Sequence, residues 1–308
     1  MSKAKRRNAL LEVVHDQKWI DFFYLESSLE ELSDKLHHQS FTPVPNTRDV
    51  PFTAQIRGYT GARDIKGDLW LLKEIEEENV FFYQLCELAY YLDFLLETLS
   101  APTLLVLREG TYYRATKVIV EATQISGYNY LEEPLRRVLA NDLINRWLMF
   151  DEDRNPNNYM VIHNSKRQPL IVAIDFNHSD LEAEKMKITG NPKQFGWYRE
   201  EKTRFLTLLK PENFELYSIE DFERRLSLMM GITESRLKRV CTKLFEPVSE
   251  DYAQKAEKIT KNILRRREHI NTYFRTWFKN RDEKMVKQKD AEYEGLGKNF
   301  VEIYKKKI

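Results

Sequence analysis

Asp153-Arg154-Asn155-Pro156-Asn157-Asn158 and, further on, Ile174-Asp175-Phe176 are the stretches that decide the fold of this 308-residue chain. Between them lie Tyr159-Met160-Val161-Ile162-His163 and Leu170-Ile171-Val172-Ala173-Ile174, two short β-prone runs. The polar segment Asn164-Ser165-Lys166-Arg167-Gln168-Pro169 separates them, and the spacing predicts a β-hairpin. In an antiparallel pair the partner numbers sum to a constant. A turn over 164–169 pairs residue 163 with 170, and therefore Asn158 with Asp175 at the open end, with Asp153 on the loop just before it. Asp, Asn and Pro also crowd ordinary surface turns. Joined by a hairpin, however, these carboxylate and amide oxygens suit Mg²⁺, which takes one or two carboxylates plus phosphate and water oxygens.

An Asp, an Asn five residues later and a second Asp seventeen beyond resembles the catalytic centre of the protein-kinase superfamily. The spelling Asp153-Arg154-Asn155…Asn158, with Ala173-Ile174-Asp175-Phe176, looks closest to the HipA-like branch and its distant phosphoinositide-kinase relatives. That resemblance implies an α+β, two-lobed protein-kinase-like fold. The small lobe would hold a β-sheet and one long helix, and the large lobe would be mostly helical. It also implies that Asp153 orients the attacking hydroxyl, while Asn158 and Asp175 hold Mg²⁺ on the phosphates of ATP.

Composition sets the outer bounds. A hydrophobic content of 42% with 12% aromatics supports a substantial core. Cys86 and Cys241 are the only cysteines and lie far apart in helical contexts, which favours a reduced, cytoplasmic compartment over a disulfide framework. No apolar run approaches the roughly 18–20 residues that span a bilayer. The net charge of +1 conceals an asymmetry: residues 251–308 carry 16 Lys/Arg against 9 Asp/Glu, a net of +7, leaving −6 on the first 250. A cationic tail region on an acidic body implies an anionic partner or an intramolecular brace.

The pattern divides the chain into a helical N-terminal extension (1–45), a small nucleotide-binding lobe (46–121), a large catalytic lobe (122–250) and a basic helical region packed on it (251–308). Ser28 and Glu31 form a capping-box pattern. Asp68 to Ile75 is the clearest strand, and there Lys73 shares a face with Leu69 and Leu71. By resemblance Lys73 is the lysine that binds the ATP phosphates; otherwise it is a solvated strand-end lysine. Glu76 to Leu99 has helical spacing, and Glu87 on its flank is the counterpart of the kinase helix glutamate that reaches back to such a lysine, with Glu78 and Glu97 as weaker competitors. Two strands around Arg108-Glu109-Gly110 lead to Val118–Ala122, where backbone groups would read the adenine edge. Pro134 opens a helix that delivers the chain to Asp153.

A long final helix, 253 to 289, carries Ile259, Ile263, Ile270, Phe274, Trp277 and Phe278 along one side. Arg265, Arg266, Arg267, Arg275, Lys279 and Arg281 lie on its other faces. Those cations suit a solvated face or, less commonly, an inositol phosphate, phosphoinositide or nucleic acid. Two positions depart from the kinase pattern. Gly58, Gly61 and Gly67 precede Lys73 without the usual Gly-x-Gly-x-x-Gly spacing, although Arg63 or Lys66 stands near to assist their amides. Asn177 stands where many kinases have Gly. The function that follows is an ATP- and Mg²⁺-dependent kinase acting on Ser or Thr of a protein substrate. The alternatives are a phosphoinositide or other small-alcohol kinase, an AMP transferase at the same site, and a nucleotide-binding pseudokinase scaffold.

Overall fold

Residues 9–44, 58–151, 153, 155–183, 187–188, 197–198 and 214–293 are described by the computed structural model. Arg154 of the motif lies outside them. The described chain opens with three short helices, α1 (Ala9–Val14), α2 (Gln17–Phe22) and α3 (Leu29–His37). His15, with φ +47°, breaks the first from the second, and the Asp16 carboxylate caps α2 by accepting from Lys18 N at 3.0 Å. The capping box on α3 is formed: Glu31 N donates to Ser28 Oγ at 3.2 Å, and Ser28 N to Glu31 Oε2 at 2.7 Å.

Five antiparallel strands follow: β1 (Thr42–Pro43), β2 (Tyr59–Arg63), β3 (Leu69–Ile75), β4 (Thr103–Arg108) and β5 (Thr111–Lys117), in the order β1-β2-β3-β5-β4. Glu109 and Gly110 join β4 to β5 with φ of +52° and +83°, the two positive values that a two-residue hairpin requires. Trp70 and Leu72 of β3, with Ala62, Leu104 and Ala115, join the main core, as do Leu29, Leu32 and Leu36 of α3. The helix α4 (Val80–Leu95) runs along the exposed edge of β4.

Beyond Lys117 the chain forms β6 (Thr123–Gln124), α5 (Leu135–Met149), β7 (Tyr159–His163) and β8 (Pro169–Ala173), with a three-stranded sheet in the order β6-β7-β8. Period-two alternation gives the β7–β8 hairpin two buried faces. Tyr159, Val161, Ile171 and Ala173 enter the main core, which runs from Tyr24 to Phe278. Ile162, Leu170 and Val172 enter a second core with Val14, Trp19, Phe23 and Leu25 of the N-terminal helices. Trp19 Nε1 donates to His163 O at 2.9 Å and fastens that cover. The end of the hairpin is thus held from both sides.

After the two-residue strands β9 (Lys187–Ile188) and β10 (Trp197–Tyr198), α6 (Glu223–Met230) and α7 (Glu234–Phe245) lead to the 42-residue α8 (Tyr252–Tyr293). Ile259, Ile263, Ile270, Phe274 and Phe278 are buried, and Phe274 meets Trp147 of α5 at 5.3 Å between ring centroids. Its cations act as a brace. Arg266 is buried and donates to the carbonyls of Leu148 at 2.8 Å, Ala183 and Leu181. Arg275 grips Glu223 with both terminal arms of its fork, and Arg281 reaches the carbonyls of Phe214 and Tyr217. Among the described residues no helix is long and apolar enough to cross a membrane.

Burial pulls the Arg266 pKa down to about 10, so it stays charged at neutral pH beside the carbonyls of Leu148, Ala183 and Leu181. Replacing it with Met strands those acceptors, and we expect a loss of about 3 kcal/mol in urea unfolding. The exposed Arg265→Met should change stability by no more than about 0.5 kcal/mol. Equal small losses at both positions would refute the brace.

Candidate active site

The hairpin turn is one residue tighter than its sequence predicts. Asn164 N donates to Gln168 O at 3.1 Å, while the Asn164 side-chain oxygen accepts from Lys166 N and Gln168 N at 3.0 and 2.9 Å. Arg167 adopts φ +61° to close the loop. His163 therefore pairs with Pro169 rather than with Leu170, and the register brings Asn158 opposite Ile174, whose N–H donates to Asn158 O at 3.0 Å. Asp175 lies one residue further on, with φ +58°, where the chain leaves the strand. Asn158 and Asp175 both stand at the open end of the hairpin, one step out of the expected pairing.

The loop before β7 is wired to itself. Asn155 Oδ1 accepts from Asn157 N at 2.8 Å and starts a 3-10 turn over Pro156–Asn158. Asn158 Nδ2 donates to Asp153 O. The Asp153 carboxylate accepts from Asn155 Nδ2 at 2.7 Å, and His178 Nε2 lies 3.5 Å from its other oxygen. Asp153 N donates to Asp151 Oδ1 at 3.2 Å. Asp151, two residues before Asp153, is buried and lies 3.5 Å from Arg146 Nη1, so it belongs to the support beneath the loop.

That support centres on Arg146 of α5, whose guanidinium also binds Asp93 of α4 and Asp142 one turn earlier. Asn145 donates to Asp93 at 2.8 Å, and Tyr159 of the hairpin donates to Asp142. Burial alone would lower the Arg146 pKa, but Asp142 and Asp93 outweigh it and hold it well above its ordinary value. For Asp93 burial dominates and pushes its pKa up. The Arg146 guanidinium lies 5.8 Å from the centroid of the Phe176 ring, which follows Asp175.

Opposite the hairpin stands a row of side chains on one sheet face. Tyr59 pairs with Lys73, and Lys73 with Arg114, across β2, β3 and β5. Arg114 donates to Tyr59 Oη and Asn177 Oδ1, and its Nη1 lies 3.6 Å from Asp175 Oδ1. Cys86 of α4 sits behind this contact, its sulfur 3.6 Å from Phe176 O, and burial pushes its thiol up to about 12, which keeps it neutral.

Several expectations need correction. Glu87 does not reach Lys73. It is fully buried, Tyr91 Oη and Leu105 N donate to it at 2.7 and 2.9 Å, and His37 Nε2 lies 2.8 Å away. The physical reason is the edge of the sheet: the outer N–H groups of β4 have no neighbouring strand, and α4 supplies a carboxylate to one of them. Lys73 is half-buried, with no carboxylate at ion-pair distance among the described residues. Gly67, with φ +85°, turns between β2 and β3 at the end of the sheet remote from Lys73, and Arg63 bonds Gly67 O at 2.7 Å. Neither Arg63 nor Gly67 stands near the site; Gly58, beside Tyr59, does. Arg114 is the site residue that sequence reasoning missed. Its signal was an arginine inside a strand next to Ala115, a position where the pattern wants an apolar or paired residue.

No protein-family model matches the chain, and no curated protein matches it. Among solved structures, it is similar to the Helicobacter pylori proinflammatory kinase CtkA, at 10% identity and a TM-score of 0.42, over 72% of this chain and 94% of that one. It is also similar to the Shewanella oneidensis MR-1 toxin–antitoxin HipA, solved with HipB and operator DNA, at 11% identity and a TM-score of 0.34, over 79% of this chain and 71% of that one.

The His37–Glu87 contact makes stability depend on pH. Burial works to lower the His37 pKa, but the Glu87 carboxylate outweighs it and raises the value above 6.5. A raised pKa in the folded state stabilises fully below 6.5, and the contribution disappears as pH climbs through the folded value. The melting temperature of the protein should therefore exceed that of His37→Gln by more at pH 6 than at pH 8. A difference between the two proteins that is constant over this range would exclude the linkage.

Proposed function

We propose that this chain is an ATP- and Mg²⁺-dependent kinase of the HipA-like type that transfers the γ-phosphoryl group to a Ser or Thr hydroxyl of a protein. The observation that carries this is the meeting of two opposite surfaces: the acid- and amide-bearing end of the hairpin, and the cationic row on the sheet, with Asp175 Oδ1 3.6 Å from Arg114 Nη1. A nucleoside triphosphate needs both, cations for its phosphates and oxygen ligands for its metal. In this reading 46–121 form the small lobe, 122–250 the large lobe, and the segment around Val118–Ala122 contacts the adenine.

The donor set suits a hard cation. Asp175 brings a carboxylate that is 41% exposed, and Asn158, whose Nδ2 is donated to Asp153 O, has an amide oxygen as its acceptor atom. Mg²⁺, when bound, neutralises the phosphate oxygens and fixes their geometry. Asp153 accepts a hydrogen bond from the incoming hydroxyl; Asn155, with His178 nearby, holds its carboxylate in one orientation. Lys73 faces the phosphates as a point charge. Glu87 takes no part, because its carboxylate caps β4 and pairs with His37.

Incubation with labelled ATP and candidate acceptors, read by mass spectrometry, tests the transfer. One added phosphoryl group on a protein Ser or Thr supports it; an added AMP, or a product on an inositol phosphate, replaces the acceptor or the reaction. Asp175→Asn should cut Mg²⁺-dependent ATP turnover by on the order of 100-fold with an unchanged melting temperature. Unchanged turnover would remove Asp175 from the site. Asp153→Asn should leave ATP affinity within about twofold and lower transfer by on the order of 100-fold or more. Normal transfer with lost ATP binding would reverse that assignment.

A further inference from the structure

Arg114 is 7% exposed, and its guanidinium lies 5.8 and 5.5 Å from the ring centroids of Tyr59 and Tyr83. Its neutral partners are Tyr59 Oη and Asn177 Oδ1. Its one ionic partner among the described residues is Asp175, at 3.6 Å, well beyond the roughly 2.7–2.9 Å of a charge-assisted hydrogen bond. Nε is buried and has no acceptor among the described residues. A guanidinium taken out of water is costly unless its charge and donors are matched, and here the match is incomplete. Directly across the ladder stands Lys73, a second cation, and like charges facing each other on a sheet destabilise it.

Two cations facing one partly solvated carboxylate make a local excess of positive charge. The Tyr59 and Tyr83 rings beside Arg114 and its bonds to Tyr59 Oη and Asn177 Oδ1 hold its fork in place before any ligand arrives. Such a preorganised surplus is suited to a polyanion. Resting on the nucleotide reading above, we propose that Arg114 of β5 is the principal anchor of the ATP phosphates, with Lys73 as the second cation. Its grip requires no metal, because the phosphates bind to the guanidinium directly. Asp175 lies at its edge and carries the metal's share of the binding.

The test is titration of the full chain with ATP by calorimetry, once in EDTA and once with Mg²⁺. The unaltered protein should bind ATP in both. Arg114→Gln should weaken binding in EDTA at least about tenfold, and Arg114→Lys, which keeps the charge but not the fork, should recover part of that loss. Asp175→Asn should bind at least as tightly as the unaltered protein in EDTA, because a carboxylate is removed from beside the phosphates, and should lose the gain from Mg²⁺. Melting temperatures accompany each variant. Should Arg114→Gln fail to fold, Arg114→Lys decides: affinity in EDTA equal to that of the unaltered protein overturns the proposal. So does an Arg114→Gln protein that folds and binds ATP in EDTA within about twofold of normal while Asp175→Asn loses the Mg²⁺ gain; that result leaves the kinase assignment standing and reduces Arg114 to a structural contact. Absence of ATP binding by the unaltered protein in both conditions overturns the kinase assignment itself, and the phosphate anchor with it.

Discussion

Arg146 lies within reach of three carboxylates that come from different parts of the chain: Asp93 on α4, Asp142 on α5 and Asp151 on the loop that leads to Asp153. Removing the guanidinium would leave these buried carboxylates short of a cation, at a cost of about 3–5 kcal/mol. Because each partner belongs to a different element, the condition that satisfies the charge is also the condition that fixes α4 against α5 and the loop against both. Tyr159 then ties the first residue of β7 to Asp142. The site stands on a polar core whose geometry leaves few degrees of freedom.

The hairpin adds the second constraint. It is buried on both faces, by the main core on one side and by the N-terminal helices on the other. Hydrophobic burial alone therefore discriminates poorly between two registers that differ by one residue, since either would bury apolar side chains on both faces. The discrimination falls to the turn, where Asn164 collects two backbone N–H groups and sets the pairing of His163 with Pro169. A slip of one residue would send each side chain to the opposite face. With the observed pairing, Ile174 and not Asp175 faces Asn158, and Asp175 reaches the sheet through its left-handed backbone instead.

These two constraints explain what could be seen in the sequence. The hairpin, the capping box on α3, the strand carrying Lys73 and the long α8 follow from period and turn chemistry within a few residues of each other, which is where pattern carries information. The register did not, because it depends on how one asparagine side chain folds onto its own turn. Glu87 was misjudged for a related reason. The helix α4 is apolar nearly all round, with buried residues from Val80 to Asp93, so its pattern does not say which flank meets the sheet's edge and which meets a cleft. Arg114 escaped notice because its partners, Tyr59, Asn177 and Asp175, lie 55 to 63 residues away. An arginine within a strand is a signal only once its neighbours on the other strands are known.

Charge distribution separates the two basic regions of the molecule. On α8 the cations are matched: Arg266 has three carbonyls, Arg275 a bidentate carboxylate and Arg281 two carbonyls and Asp282. Among the described residues, these three arginines of the basic C-terminal region fasten the long helix to its own protein. Lys73 and Arg114 contribute far less to the net charge, yet they pair across the ladder, and among the described residues the carboxylate at ion-pair distance from Arg114 is Asp175, 3.6 Å away. An electrostatic ligand site is marked by charge left unmatched after folding rather than by charge density along the chain. By that measure, among the described residues, the sheet face opposite the hairpin leaves more positive charge unmatched than Arg266, Arg275 and Arg281 of the basic helix do.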